Sequence, residues 1–223
     1  MSPPDALGLP MEQMPYQHGV DATGSTTWIA PAAIWRARLP VLRGTGVTLR
    51  ELQKGDAASL NALLTTEQVA RFISPPPTTV DAFESFIRWS HIRRSQGKYV
   101  CFGIVPDGYD VAVGIFQIQL SANEPAEWGF VLGSEFWGTG LFVEGAVALM
   151  DFAFSEMGLA RLAARAAVDN HRGNGALRKI GAVRGSRIRN GLVRKGRLHD
   201  QYYWTSSPED RPRRKITWDL AAH

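Results

Sequence analysis

Two glycines one residue apart, in Trp137-Gly138-Thr139-Gly140, stand between an alternating apolar run and a long apolar stretch of helical spacing. A glycine lets main chain approach a ligand closely and can adopt positive φ. Free N–H groups at the mouth of the following helix, with the helix dipole behind them, form a seat for an anion such as a pyrophosphate. The same pattern also serves a plain strand-to-helix turn, so spacing alone leaves both readings open. The loop is not a P-loop, because no Gly-Lys-Ser/Thr follows. Nor is it a full Gly-x-Gly-x-x-Gly, because position 143 is valine. Cys101, the single cysteine, lies in an apolar strand-like run and reads as a buried structural thiol rather than an acyl carrier. One cysteine excludes an internal disulfide, and no spacing of His, Asp or Glu suggests a metal site. Glu144 falls in the first helical turn after the glycines, where a carboxylate is favourable, and reads as structural. His171 reads as a solvent-facing loop histidine.

Strands and helices must position these groups. Val47–Leu52 alternates apolar and polar residues and reads as a strand. Asp56 is placed as the cap of a helix carrying Leu60, Leu63 and Leu64, and a short helix around Gln68–Ile73 ends at Pro75-Pro76-Pro77. Thr79 opens a helix with Phe83, Phe86, Ile87, Trp89 and Ile92, closed by Gly97. Tyr99–Val105 and Val111–Leu120 form a predicted antiparallel hairpin around Pro106-Asp107-Gly108. Glu127–Leu132 is a strand that runs into the glycine loop and then a helix to about Met157. Arg161–Val168 reads as a strand and Gly173–Ile180 as a helix ending at Gly181. Ala182–Arg187 and His199–Thr205 are the last strands, with Asn190-Gly191 the predicted hairpin turn.

Two segments of this central unit carry a resemblance. Glu127-Trp-Gly-Phe-Val-Leu-Gly133, followed by Phe136-Trp-Gly-Thr-Gly-Leu-Phe-Val-Glu-Gly-Ala146, is similar to the acetyl-CoA-binding segment of the GNAT superfamily. The similarity is strongest to the branch acetylating the N-termini of ribosomal proteins (RimJ/RimL-like). Asn170-His-Arg-Gly-Asn-Gly-Ala-Leu-Arg-Lys179-Ile-Gly181 resembles the family's Asn-x-x-Ser-x-x-x-Leu-x-Lys-x-Gly-Phe with every spacing kept. Asp200 falls where relatives carry Asp before a Tyr-containing strand. The resemblance covers roughly residues 45–207. The chain departs from the pattern at Glu135, Gly173, Ala182 and Trp204, which replace Gln/Arg, Ser, an aromatic and a tyrosine. An indole cannot donate a proton as a phenol does.

The resemblance implies a mixed α/β fold with a mostly antiparallel central sheet of about six to seven strands, splayed at its centre and flanked by about four helices. Residues 1–44 would be an N-terminal arm, 45–207 the acetyltransferase domain and 208–223 a basic tail. It implies acetyl-CoA as cofactor, contacted by Val131, Leu132, Gly133, Trp137, Gly138, Thr139, Gly140, Leu141, Asn170, Arg172 and Lys179. Backbone N–H groups of Val131, Leu132 and Gly133 are the candidates for the pantetheine arm and the thioester carbonyl. Glu127 is the candidate base, directly or through a water, with an exposed strand-end glutamate as the plain alternative. Tyr202 is the candidate acid, chosen over Tyr203 because it shares a face with Asp200 and Trp204. The expected reaction is direct transfer of acetyl to a primary amine in a ternary complex. A protein N-terminus is the first acceptor and a small amine (antibiotic, polyamine or amino sugar) the second. A CoA-binding regulatory module without turnover is the alternative of another class.

Composition bounds the remainder. The 223 residues suit one domain plus extra segments, and 44% hydrophobic residues suffice for a core. A net charge of +4 is mild and permits an anionic ligand without requiring nucleic acid. Arg184, Arg187, Arg189, Arg194, Lys195 and Arg197, with Arg211, Arg213, Arg214 and Lys215 in the tail, read first as solvated charge. Docking to an acidic protein or ribosomal RNA is the second reading. The arm is placed against the domain or a partner subunit, leaving a homodimer open. No apolar stretch spans a bilayer, since Leu141–Phe154 is broken by Glu144 and Asp151. No secretory signal is visible, so a cytoplasmic location is expected.

Overall fold

The computed structural model describes residues 34–121, 125–210 and 217–219. Nine strands form one sheet: β1 Val41–Gly44, β2 Val47–Glu51, β3 Tyr99–Pro106, β4 Gly114–Gln119, β5 Ala126–Leu132, β6 Leu162–Ala167, β7 Val183–Arg194, β8 Arg197–Ser206 and β9 Thr217–Asp219, in the order β7-β8-β6-β5-β4-β3-β2-β1-β9. Every neighbouring pair is antiparallel except β5 and β6, which are joined through a helix and run parallel. The described residues form six helices: α1 Ile34–Ala37, α2 Asp56–Leu64, α3 Glu67–Ala70, α4 Val80–Ser95, α5 Leu141–Asp151 and α6 His171–Lys179. A π-helical turn, Phe152–Glu156, extends α5.

Alternation along the strands divides the core in two. Phe102, Phe116, Ile118, Trp128 and Leu49 pack with α5 residues such as Leu149 on one face. Tyr99, Cys101, Ile115 and Val131 pack with Leu60 and Leu64 of α2 and Phe83 and Phe86 of α4 on the other. Contact on the α5 side is close: a Cβ at Gly145 would stand 2.8 Å from Phe116 Cε2.

The sheet is larger than the six to seven strands expected, because β1 and β9 lie in segments read as arm and tail. Gly44 pairs with Val47, so Thr45-Gly46 is a two-residue turn, with Gly46 at φ 74°. Two apolar runs separated by such a dipeptide are a hairpin. The sheet therefore begins at Val41, ahead of the boundary expected at 45. Trp35 of α1 is buried, and Arg94 of α4 donates to the carbonyls of Trp35 and Arg36. Residues 1–33 of the expected arm, and 211–216 and 220–223 of the expected tail, lie outside the described residues.

Two further expectations change. Asp56 does not cap its own helix. Its carboxylate is buried, takes two bonds of 2.8 Å from Arg50, and accepts the N–H groups of Gln53 (2.7 Å) and Ala112 (2.9 Å). It ties β2 to the loop before β4. The late hairpin turns at Lys195-Gly196, both in the left-handed region (φ 49° and 71°), with Arg194 opposite Arg197. Asn190-Gly191 instead forms a bulge between the pairs Ile188/Gln201 and Leu192/His199. Asp200 makes the bulge possible: it accepts the Asn190 N–H (2.9 Å) and Arg187 Nε–H (2.8 Å).

Candidate functional site

β5 and β6 pair at only two positions, Ala126/Leu162 and Glu127/Ala163, and then part. Beyond Glu127 the edge of β5 toward β6 has lost its strand partner. The Gly133 N–H donates to the Val113 carbonyl at 2.9 Å. By alternation Val131 also faces β4, and the main-chain groups of Phe130 and Leu132 face the gap. The Leu132 carbonyl is taken by Trp137 Nε1–H at 2.8 Å. Of the three expected backbone donors, only Leu132 keeps a gap-facing N–H. Phe130, which the sequence reading did not name, supplies another.

Two cavities meet at this gap from opposite faces of the sheet. The larger, about 800 Å³, lies on the α5–α6 side and is lined by Leu132, Trp137, Gly138, Gly140, Phe142, Asn170, Arg172 and Lys179, with Arg71 beside them. The smaller, about 200 Å³, lies on the α2–α4 side. Gln117 and Gln119 of β4, Glu127 of β5, Arg165 of β6 and Gln201 of β8 line it. Phe72, Ile73, Phe130, Val131, Asn170 and Gly173 border both. The tip of the β7–β8 hairpin reaches across to α3, where Lys195 pairs with Glu67 at 2.7 Å and Arg194 Nε–H donates to the Ala70 carbonyl at 3.0 Å. This contact brings Gly191 and Leu192 into the wall of the smaller cavity.

The larger cavity gathers most of the expected cofactor residues. Gly138 and Gly140 have φ of 83° and 94°, conformations that a side chain rarely adopts. They turn the chain into α5, whose first N–H groups have no intrahelical acceptor. The Arg172 guanidinium lies 4.3 Å from the Trp137 ring centre, and Lys179 projects from the end of α6. Asn170 caps α6 by accepting the Gly173 N–H at 2.8 Å. His171 is exposed and also borders this cavity. Gly133, Thr139 and Leu141 line neither cavity. The Thr139 hydroxyl is spent on the Phe136 carbonyl (2.8 Å), and Leu141 belongs to the core. Glu135 is exposed and outside both cavities.

The two expected catalytic side chains do not come together. Glu127 faces the smaller cavity, where Arg165 pairs with it at 3.0 Å, each side chain about 40% exposed. Tyr202 is opposite Ala166 on β6, so it points to the other face. It packs against the core there, with Arg184 4.8 Å above its ring. Tyr203, opposite Arg165, shares the face of Glu127 but also lines neither cavity. Trp204 is buried and donates to Asn174 Oδ1 at 3.0 Å, while Asn174 Nδ2 donates to the carbonyls of Ala167 (2.8 Å) and Asn170 (2.9 Å). The residue at the tyrosine position thus holds β8 to α6. Sequence reasoning missed Gln117, Gln119, Arg165, Gln201 and Phe72. The available signal was Gln117-x-Gln119, polar side chains repeating at strand spacing inside an apolar run.

Electrostatics separates inert groups from usable ones. Burial pushes the Cys101 thiol far above its ordinary range. The Asp200 carboxyl is held below the usual value by the Asn190 N–H first and Arg187 second. Gln201 is 8% exposed and its Oε1 has no hydrogen-bond partner.

A parted parallel strand pair with a glycine loop and helix mouth on one side and a polar cavity on the other is the arrangement expected of an acyltransferase. Residues 47–183 match the Acetyltransferase (GNAT) domain family, more than half of the chain, and the protein belongs to that family. It is an acetyl-CoA-dependent N-acetyltransferase. YdaF of Bacillus subtilis (strain 168), named as a ribosomal N-acetyltransferase, is 27% identical over 164 residues, covering 71% of this chain and 90% of its own. The fold is similar to Mycobacterium smegmatis RimJ in complex with CoA-disulfide, with TM-score 0.68, 21% identity and coverage of 78% and 88% of the two chains. It is also similar to RimL, the ribosomal L7/L12 α-N-protein acetyltransferase in complex with coenzyme A, with TM-score 0.67, 17% identity and coverage of 75% and 97%. Among the described residues no helix is long and apolar enough to cross a membrane.

Proposed function

We propose that this enzyme acetylates a protein N-terminal α-amine by direct attack in a ternary complex. The observation that carries the reading is the pair of cavities meeting from opposite faces where β5 and β6 part, with Glu127 at the start of the gap. Acetyl-CoA supplies the activated thioester. Gly138, Gly140 and the first turn of α5 would hold its diphosphate, Arg172 and Lys179 would add positive charge, and Asn170 Nδ2 borders the path of the pantetheine arm. The amine lies in the smaller cavity. Glu127 takes its proton, directly or through a water. An α-amine has a free pKa of about 7.7–8.0, so a carboxylate suffices where a lysine amine, at about 10.4, would demand more. The nitrogen attacks the carbonyl carbon, and the N–H groups of Phe130 and Leu132 receive the developing oxyanion. The C–S bond then breaks. The second proton of the amine passes to the departing sulfur, so coenzyme A leaves as the free thiol without a tyrosine acid.

YdaF and RimL, named for ribosomal and ribosomal-protein acetylation, support the protein acceptor. The 200 Å³ volume of the acceptor cavity also favours a second reading, a small-molecule amine. A thiol-release assay over peptides and small amines tests both. Turnover of peptides with free N-termini is expected. Turnover confined to small amines would replace the first reading with the second. Tight acetyl-CoA binding with no turnover on any amine would overturn both.

A further inference from the structure

One polar side chain of the acceptor cavity is oriented from behind by the protein itself. Gln117 is cross-strand from Gly129 on one side and from Cys101 on the other, which makes it a diagonal neighbour of both Tyr99 and Glu127. The Tyr99 hydroxyl donates to Gln117 Oε1. Tyr99 is 5% exposed and packed edge-on against Trp89, ring centres 4.9 Å apart, so the phenol is fixed in place. Burial pushes its pKa well above the ordinary tyrosine value, and it stays an O–H donor. A glutamine amide can otherwise turn over, exchanging oxygen and nitrogen. Here, turning it would take the acceptor from a buried phenol, which is costly. The amide nitrogen is therefore the atom presented over Gly129, where a Cβ would stand 3.1 Å from Nε2. Gly129 is the residue before Phe130, whose N–H faces the gap.

We propose that Gln117 reads the acceptor: its Nε2–H donates to the first carbonyl oxygen of the polypeptide whose α-amine lies against Glu127, and Tyr99 is the positioning residue that fixes this donor. Diagonal neighbours on adjacent strands are about 7–8 Å apart at Cα. Their side chains can therefore converge on an amine and the carbonyl of the same residue. A lysine ε-amine carries its nearest carbonyl several bonds further away, and a simple alkylamine carries none. The inference rests on the transfer reading above and adds the chemical feature that selects the acceptor.

Alaninamide and isopropylamine test it, since they share a branched amine and differ in the carboxamide. In the wild type the ratio of kcat/KM for alaninamide over isopropylamine should exceed one. Gln117→Met should lower that ratio about fivefold to tenfold, the loss of one hydrogen bond. Gln117→Glu keeps the Tyr99 bond but puts an oxygen in place of the donor, and should lower it at least as far. Tyr99→Phe frees the amide to turn and should lower the ratio with Gln117 intact, an effect that mere loss of stability would not produce. A ratio unchanged in Gln117→Met, or lowered there but unchanged in Tyr99→Phe, overturns the proposal. Calorimetry of alaninamide binding to the protein–CoA complex separates the two readings. Absent wild-type turnover would sink transfer alone, while equal alaninamide affinity in wild type and Gln117→Met would sink the Gln117 assignment alone.

Discussion

Replacing Glu127 by glutamine separates what the side chain does for stability from what it does for chemistry. The substitution keeps shape and removes the charge and the proton-accepting oxygen. Glu127 pairs with Arg165 at 3.0 Å, but both side chains are about 40% exposed. Ion pairs so open to water contribute about 0–1 kcal/mol. At about 2–4 °C per kcal/mol for a protein of this size, the Tm should fall by less than about 4 °C. A positioned general base contributes roughly 10²–10⁴-fold to rate, equivalent to about 3–5 kcal/mol of barrier. The two effects therefore differ severalfold in energy and are read separately. Thermal melts give the first. Thiol release at saturating acetyl-CoA, followed across pH, gives the second. The wild-type profile should carry a rising limb from ionisation of the carboxylate. Glu127→Gln should lose that limb and retain only the rise that tracks the free amine. A variant with a near-native Tm, a rate within about threefold of wild type and an unaltered profile would remove Glu127 from the mechanism.

Gly140→Ala should weaken coenzyme A binding up to about tenfold by calorimetry, since φ of 94° costs an alanine about 1–2 kcal/mol while the space around its Cβ is open. Gly145→Ala should lower the denaturant midpoint by the equivalent of about 1–2 kcal/mol, because its Cβ would press on Phe116 Cε2 at 2.8 Å and this overpacking outweighs the gain in helix propensity. Asp200 has a folded pKa below its unfolded value of about 3.9, so its stabilisation is present above that pH and is lost as pH falls through the folded value. Amide exchange at Asn190, corrected for intrinsic pH dependence, should therefore accelerate in acid below about pH 4, and in Asp200→Asn at neutral pH; protection unchanged in both would refute the account of the bulge.

The two cavities differed in how far the sequence disclosed them. The glycine loop is local: Gly138 and Gly140 need positive φ, and everything that follows from this lies within one strand–loop–helix unit. The smaller cavity is not local. Gln117, Glu127, Arg165 and Gln201 come from four different strands, and only the register of β4, β5, β6 and β8 brings them to one face. Alternation did place Tyr202 and Tyr203 on opposite faces, but which face holds Glu127 depends on the pair Arg165/Tyr203, which no local pattern encodes. Asn190-Gly191 shows a different limit. Asn190 does take a positive φ of 54°, but Asp200 holds it in a bulge, and Lys195-Gly196 makes the turn that the dipeptide was expected to make.

The arrangement also bears on whether the acetyl group ever rests on the protein. A covalent relay would need a nucleophile between the donor on one face and the amine on the other. On β5 the gap is bordered by Phe130 and Leu132, whose main-chain N–H groups face it, and on β6 by Ala164 and Ala166, and none of these four carries a nucleophilic side chain. Cys101 lies on β3, 3% exposed, among Tyr99, Ile115 and the α2–α4 helices, with its thiol held protonated by burial. It borders neither cavity. On the proposed reading, donor and acceptor would face each other through an opening edged by main-chain N–H groups and apolar side chains. Such an opening suits the proposed attack by the amine itself with both substrates bound at once.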